Sequence, residues 1–139
     1  MSQPLPRVLF VCVENSNRSQ MADAFAKLNG AGTVESFSAG SRPSGVINPR
    51  AVAAMREKGY DLTAHKSKSL TEVPQGPYEY VVTMGCGDAC PWIPATHRED
   101  WDLADPKHMS DAELAVVRDD IERRVAELLK RIAATTQAR

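Results

Sequence analysis

Cysteine is scarce: three in 139 residues. An odd number at so low a density argues against the disulfide framework of a small secreted domain. It points to a reducing compartment, where cysteine is catalytic, redox-active or metal-binding. A surplus of one charge sign is also missing. Lys and Arg total 17 against 18 Asp and Glu, a net charge of −1, so the basic footprint of a nucleic-acid binder is absent. No apolar run approaches the roughly 18 residues of a membrane span. The opening MSQPLPRVLFVCV has too short an apolar stretch for a secretory signal and lacks a small-residue cleavage site. The expectation is a cytoplasmic chain without nucleic-acid or membrane partners. Repeats, low-complexity tracts and linker-like shifts are absent too. What remains is ordinary: 42% hydrophobic and 25% charged residues, close to globular averages. The length fits one domain spanning 1–139, with enough apolar mass for its own core.

Arg7 to Val11 is a short continuous apolar run, the pattern of a strand buried on both faces. It runs into the polar turn Cys12-Val13-Glu14-Asn15-Ser16-Asn17. From Arg18 to about Asn29 the pattern turns helical, with Met21, Phe25 and Leu28 on one face and Gly30 as a stop. Val34 to Ser38 reads as a second strand, ending at Ala39-Gly40. Asn48-Pro49 looks like a helix cap and first helical residue, continued by Val52 and Met55 and closed by Gly59. Tyr80 to Met84 is a third buried-type strand, followed by loop residues from Gly85 to Pro94. Ser110 to Glu113 forms a capping box. Leu114, Val117, Ile121, Val125, Leu128 and Ile132 then carry a helical stripe. Strands alternating with helices imply an α/β fold with a parallel sheet. Ligands in such sheets bind beyond the carboxyl ends of strands. Cys12, Ala39-Gly40 and Cys86 fall at such ends.

Cys12 and Arg18 bracket the five residues Val13, Glu14, Asn15, Ser16 and Asn17 between a strand and a helix. Backbone N–H groups of such a turn and helix start form an oxyanion cradle, and the helix end adds roughly +0.5 of a charge. Arg18 adds a permanently charged fork able to hold two oxygens of a tetrahedral anion. Thiols in such a field titrate between about 3.5 and 7.5, so Cys12 reads as a thiolate nucleophile facing a bound oxyanion. Ser19 can donate a hydrogen bond to the sulfur, and Asn15 can hold the loop's shape. The plainer alternative is a strand-end cysteine and a surface arginine. The combination of strand, turn, helix and Ser19 favours the functional reading.

The run F-V-C-V-E-N-S-N-R-S-Q-M-A-D resembles the phosphate-binding loop of the low-molecular-weight protein tyrosine phosphatase superfamily, and more narrowly that of its thioredoxin-coupled arsenate reductases. The similarity continues through Ser38-Ala39-Gly40, His65 to Leu70, Val82 to Pro91 and Glu99 to Pro106, in the family's order. It implies three layers: a small, about four-stranded parallel sheet flanked by helices. It makes Asp105 the general acid and gives Ser38 and His65 loop-bracing roles. Ser19-Gln20-Met21-Ala22 is similar to the reductases, where the phosphatases usually have proline at the position of Gln20. Asp105-Pro106 is followed by Lys107, where phosphatases usually place an aromatic. Cys86 and Cys90 are two cysteines more than a hydrolase needs.

The resemblance implies attack of Cys12 on arsenate, then of Cys86 on the Cys12 sulfur with release of arsenite, then of Cys90 on Cys86. Each later step is thiol–disulfide exchange, and thioredoxin would regenerate the Cys86–Cys90 disulfide. Gly85 and Gly87 would allow the loop its swing. Phosphate or sulfate would compete for the cradle. No bound cofactor or metal is expected. A zinc site from Cys86, Cys90 and His97 has the wrong spacing and no fourth ligand. Other readings are arsenate reduction through mycothiol or another small thiol, a low-molecular-weight tyrosine phosphatase, and a non-catalytic oxyanion-binding module. Some relatives bind potassium beside the loop through an acidic residue; Lys68 stands at that place here, so no potassium dependence is expected. Glu14, where many relatives have glycine, is expected to face solvent. Asp23 is expected to anchor the first helix, and Trp92 and Trp101 to be core or rim. Three residues separate Cys86 from Cys90, fewer than in several relatives. The shorter segment is expected to strain that disulfide, raise its reduction potential and make it easier to reduce.

Overall fold

The computed structural model describes residues 5–85 and 92–137; Cys86 and Cys90 lie outside them. The elements are β1 (Arg7–Cys12), α1 (Arg18–Asn29), β2 (Glu35–Gly40), α2 (Pro49–Arg56), β3 (Tyr80–Thr83), β4 (His97–Asp100) and α3 (Asp111–Gln137). Four parallel strands form one sheet in the order β2-β1-β3-β4. β1 is central, which explains its uninterrupted apolar run. Its side chains alternate between two cores. Val8, Phe10 and Cys12 join the cluster built with Met21 and Phe25 of α1, Ala51 and Met55 of α2, and Ile121, Val125 and Leu128 of α3. Leu9 and Val11 join a smaller cluster with Val81, Val73 and Tyr78, packed by Phe37, Leu70 and Ile93. Three α-helices thus cover one face, and chain around the 3-10 turn Leu70–Glu72 covers the other.

Most expected boundaries agree with these elements. Asn48 caps α2, its Oδ1 accepting from Arg50 N at 2.9 Å, with Pro49 as first helical residue. Ser110 and Glu113 form the reciprocal capping box at 3.0 and 3.1 Å. One expectation needs correction. Leu28 does not join the buried face with Met21 and Phe25; it is 41% exposed. Instead α1 is buried on all sides from Ser19 to Ala26, because it is clamped among the sheet, α2 and α3. The polar residues Ser19, Gln20 and Asp23 therefore need internal partners.

The order places a topological switch point between β1 and β3. From β1 the chain leads to β2 on one side, and from β3 to β4 on the other. A crevice opens there beyond the strand ends.

Candidate active site

The crevice is a cavity of about 410 Å3, lined by Cys12, Val13, Glu14, Ser16, Asn17, Arg18, Asn48, Gly85, Leu103, Asp105 and Lys107. Cys12 ends β1 and is only 4% exposed, so its sulfur lies at the floor. The following loop turns back sharply, with Asn15 at φ 51° in the left-handed region, which asparagine tolerates. Gly40 makes this turn possible from the neighbouring strand: a Cβ there would lie 2.5 Å from Val13 O and 3.0 Å from Asn15 N.

Cys12 Sγ is 2.8 Å from Ser19 Oγ and accepts from Asn15 N at 3.3 Å. The helix α1 begins at Arg18 with no acidic residue in its first turn and no capping side chain. Its N-terminal N–H groups are left for an anion, the arrangement that binds phosphates at helix starts. Arg18 Nη1 donates to Met84 O at 2.8 Å and to Leu103 O at 2.9 Å. The guanidinium is thus fixed over the cavity through one nitrogen, which leaves Nε and Nη2 to meet an oxyanion. Gly85 lies beside this tether: its φ is 76°, and a Cβ there would sit 3.2 Å from Leu103 O, one of the two acceptors. A thiol, a helix start and a clamped guanidinium converge on one cavity. That arrangement can bind a tetrahedral anion and attack its central atom.

Of the residues expected to cradle the anion, Val13, Glu14, Ser16, Asn17 and Arg18 line the cavity. Asn15 does not; it is fully buried behind the loop, donating from Nδ2 to Ser19 Oγ at 2.9 Å and accepting at Oδ1 from Lys68 N at 2.9 Å. Glu14 is exposed, and its carboxylate lies 3.8 Å from Lys107 Nζ across the rim. Asp105 lines the cavity with Cys12 and caps the 3-10 turn Pro106–His108 through Lys107 N at 3.1 Å.

The bracing residues act at one remove. Ser38 Oγ accepts from Lys68 Nζ at 3.1 Å, and it is the Lys68 backbone that holds Asn15. His65 reaches the loop through Gln20, with its Nδ1 2.9 Å from Gln20 Oε1. Burial is the main reason its imidazole titrates below the usual histidine range, with Lys27 and Lys68 adding to this against the opposing pull of Asp23. Asp23 ties α1 to β2 by accepting from Ser36 Oγ and Lys27 Nζ, both at 2.6 Å. Trp101 is buried and Trp92 exposed, with the Arg98 guanidinium 4.4 Å from the Trp92 ring centre. His97 stacks on Tyr80; the two cysteines of the zinc alternative are outside the described residues.

Sequence reading missed Asn48, Leu103 and Gln20. Asn48 and Leu103 line the cavity, and their own types carry no signal for that. A buried glutamine inside a helix that must cover a sheet was the available clue for Gln20.

The fold and this loop define a protein that sets a buried thiol and an oxyanion cradle at the switch point of a parallel sheet. The chain belongs to the low molecular weight phosphotyrosine protein phosphatase family, which it matches over residues 7–138. Among its relatives, a glutaredoxin arsenate reductase of Synechocystis is 37% identical over 132 residues, covering 93% of this chain and all of that protein. The structure of an arsenate reductase in the phosphate binding state superposes with a TM-score of 0.84 at 37% identity, covering 92% of this chain and 99% of the other. A thioredoxin-dependent arsenate reductase of Corynebacterium glutamicum gives a TM-score of 0.78 at 34% identity, covering 97% of this chain and 65% of that one.

Proposed function

We propose that this chain is an arsenate reductase that takes both electrons from its own cysteines and is regenerated by thioredoxin. The observation that carries the reading is Cys12 at the floor of the cavity, hydrogen-bonded to Ser19 and facing the clamped Arg18. Arsenate shares the shape and charge of phosphate, so the same cradle accepts it. The Cys12 thiolate attacks arsenic and one oxygen leaves as water, protonated by Asp105. The thiolate of Cys86 then attacks the Cys12 sulfur. The S–As electron pair stays on arsenic, which departs as arsenite, and a Cys12–Cys86 disulfide forms. Cys90 attacks Cys86, frees Cys12 as thiolate and leaves the Cys86–Cys90 disulfide for an external dithiol. Such chemistry belongs in the reducing cytoplasm.

Relatives named as arsenate reductases support the substrate, and the thioredoxin-dependent one supports the reductant. Another relative is named for glutaredoxin, so the reductant is the part tested most directly.

One equivalent of arsenate added to fully reduced protein without external thiol tests the electron source. The expected result is one arsenite, two of three thiols lost, and a Cys86–Cys90 disulfide on peptide mapping. Retention of all three thiols without arsenite overturns the reading in favour of an external thiol or a phosphatase. Cys90→Ser should then abolish turnover with thioredoxin; survival of turnover with a small thiol would assign the reductant there instead.

A further inference from the structure

The mouth of the cavity carries charge that the cradle does not use. Among the described residues four charged side chains line it, two of each sign: Arg18 and Lys107, Glu14 and Asp105. They stand at different depths. Arg18 is clamped inside by Met84 O and Leu103 O, in the same cavity as a thiol that is 4% exposed. The side chains of Lys107 and Glu14 are 61% and 47% exposed, so they belong to the mouth. Lys107 rises from a fixed base. Its backbone N–H donates to Asp105 Oδ1 at 3.1 Å. The 3-10 turn around it is pinned by the buried Pro106 and by Met109 N donating to Pro106 O at 3.1 Å. The ammonium itself is held loosely, 3.8 Å from Glu14 Oε2. An exposed pair of this kind contributes little, so the ammonium leaves that carboxylate easily for a better acceptor.

A tetrahedral anion has four substituents, and the cavity treats them unequally. Three oxygens meet the N–H groups of the loop and helix start and the Nε and Nη2 of Arg18. Aligned attack by Cys12 from the floor requires the fourth to point away from the sulfur, which is toward the mouth. In an inorganic oxyanion that fourth substituent is a free oxygen. In a phosphate ester it is an uncharged oxygen that carries an organic group.

We propose that Lys107 is a specificity-determining residue: its ammonium meets the fourth, outward oxygen of a cradled tetrahedral anion and so favours inorganic oxyanions over organic phosphates. A hydrogen bond from an ammonium to a charged oxygen is stronger than one to a neutral oxygen. Glu14 keeps the ammonium across the mouth rather than out in water. Asp105 shares the turn with Lys107, so acid and cation are presented to the same oxygen, the one that leaves as water in the reaction proposed above. The assignment rests on the cavity being an oxyanion site and is independent of where the electrons come from.

The test compares two anions of nearly equal shape, inorganic phosphate and methylphosphonate, in which a methyl group replaces one oxygen. Methylphosphonate fills the cradle with its three oxygens and offers the ammonium nothing in the fourth position. Dissociation constants are measured by calorimetry on the full, reduced chain at one pH and ionic strength. The quantity read is the ratio of the methylphosphonate constant to the phosphate constant, in which a field acting on both anions alike cancels. Lys107→Met keeps the length of the stem and removes the charge. Phosphate binding should weaken about tenfold and methylphosphonate binding by less than about threefold, so the ratio falls. Lys107→Arg keeps a cation at the mouth and should hold the ratio within about twofold of wild type. Equal losses for the two anions in Lys107→Met, or no loss of phosphate affinity, would overturn the proposal. So would a fall in Lys107→Arg as large as in Lys107→Met, which would assign the effect to the stem. Failure of the wild-type chain to bind either anion would overturn the cradle itself and the proposed function with it, an outcome distinct from the other three.

Discussion

At the scale of single residues the site depends on positions that make no chemistry themselves. Gly40 is one. A methyl group there would overlap Val13 O and press on Asn15, the residue whose left-handed backbone shapes the loop. Gly40→Ala should therefore destabilise the protein by about 1–3 kcal/mol and weaken phosphate binding, both readable by denaturation with and without the anion. Unchanged phosphate affinity would show that the loop yields elsewhere. His65 gives a prediction with a defined sign. Burial lowers its folded pKa below the unfolded value near 6.5. Below that value the unfolded chain binds the proton first, so stability rises with pH across this window and is lost as pH falls through it. Thermal melts between about pH 7.5 and 5.5 should show this slope, and His65→Asn should flatten it. Lys68 supplies a third. Its ammonium donates to Ser38 Oγ and Lys66 O at 3.1 and 3.3 Å, taking oxygens a bound cation would need. Turnover should be equal in potassium and sodium; a clear rise in potassium would show that the lysine does not substitute for a metal. Cys12, Arg18 and Ser19 were legible in the sequence because motif and spacing are local. Gln20's tie to the loop was not, since it arises only where the segment 65–68 folds against α1.

At the scale of elements, legibility followed apolar content. β1 announces itself because both its faces are buried. β4 carries the sequence His-Arg-Glu-Asp, with no apolar residue to read, and was not located beforehand. It is an edge strand, where charge is common because one side faces water. It forms because β3 offers its open edge, His97 stacks on Tyr80, and Arg131 of α3 pairs with Glu99. The long helix shows the converse. Its stripe was plain, yet one of its ties is a charged residue at the same spacing, four after Leu114 and three before Ile121. Arg118 is 6% exposed and donates from Nη1 to Ala54 O at 3.1 Å and Glu57 Oε1 at 3.0 Å, linking α3 to α2. Arg118→Ala leaves a buried carbonyl without its partner and should lower stability by about 1–3 kcal/mol in urea unfolding. Glu57→Gln should change it by less than about 1 kcal/mol, because that carboxylate is largely in water. Equal effects of the two would place the stabilisation in the ion pair rather than in the buried carbonyl bond.

At the scale of the whole molecule, the cavity joins parts that are far apart in the chain. Its wall combines the loop after β1, the start of α1, Asn48 before α2, Gly85 after β3 and the segment from Leu103 to Lys107. Arg18 already ties two of these together through Met84 O and Leu103 O. The alternation of strands and helices was enough to expect a site at the strand ends. It could not say that residues 48 and 103–107 would close it, because those contacts depend on the strand order. An anion bound in this cavity touches most of the architecture at once and binds only the folded chain. Linkage then sets its effect: at a phosphate concentration about 100 times its dissociation constant, the folded state gains about 2.7 kcal/mol. In a domain of this size each kcal/mol is worth roughly 3–6 °C, so Tm should rise by about 10 °C. Arg18→Ala should abolish most of that rise, since it removes the fixed cation over the cavity. An equal rise in the variant would place the stabilising anion somewhere other than this cavity.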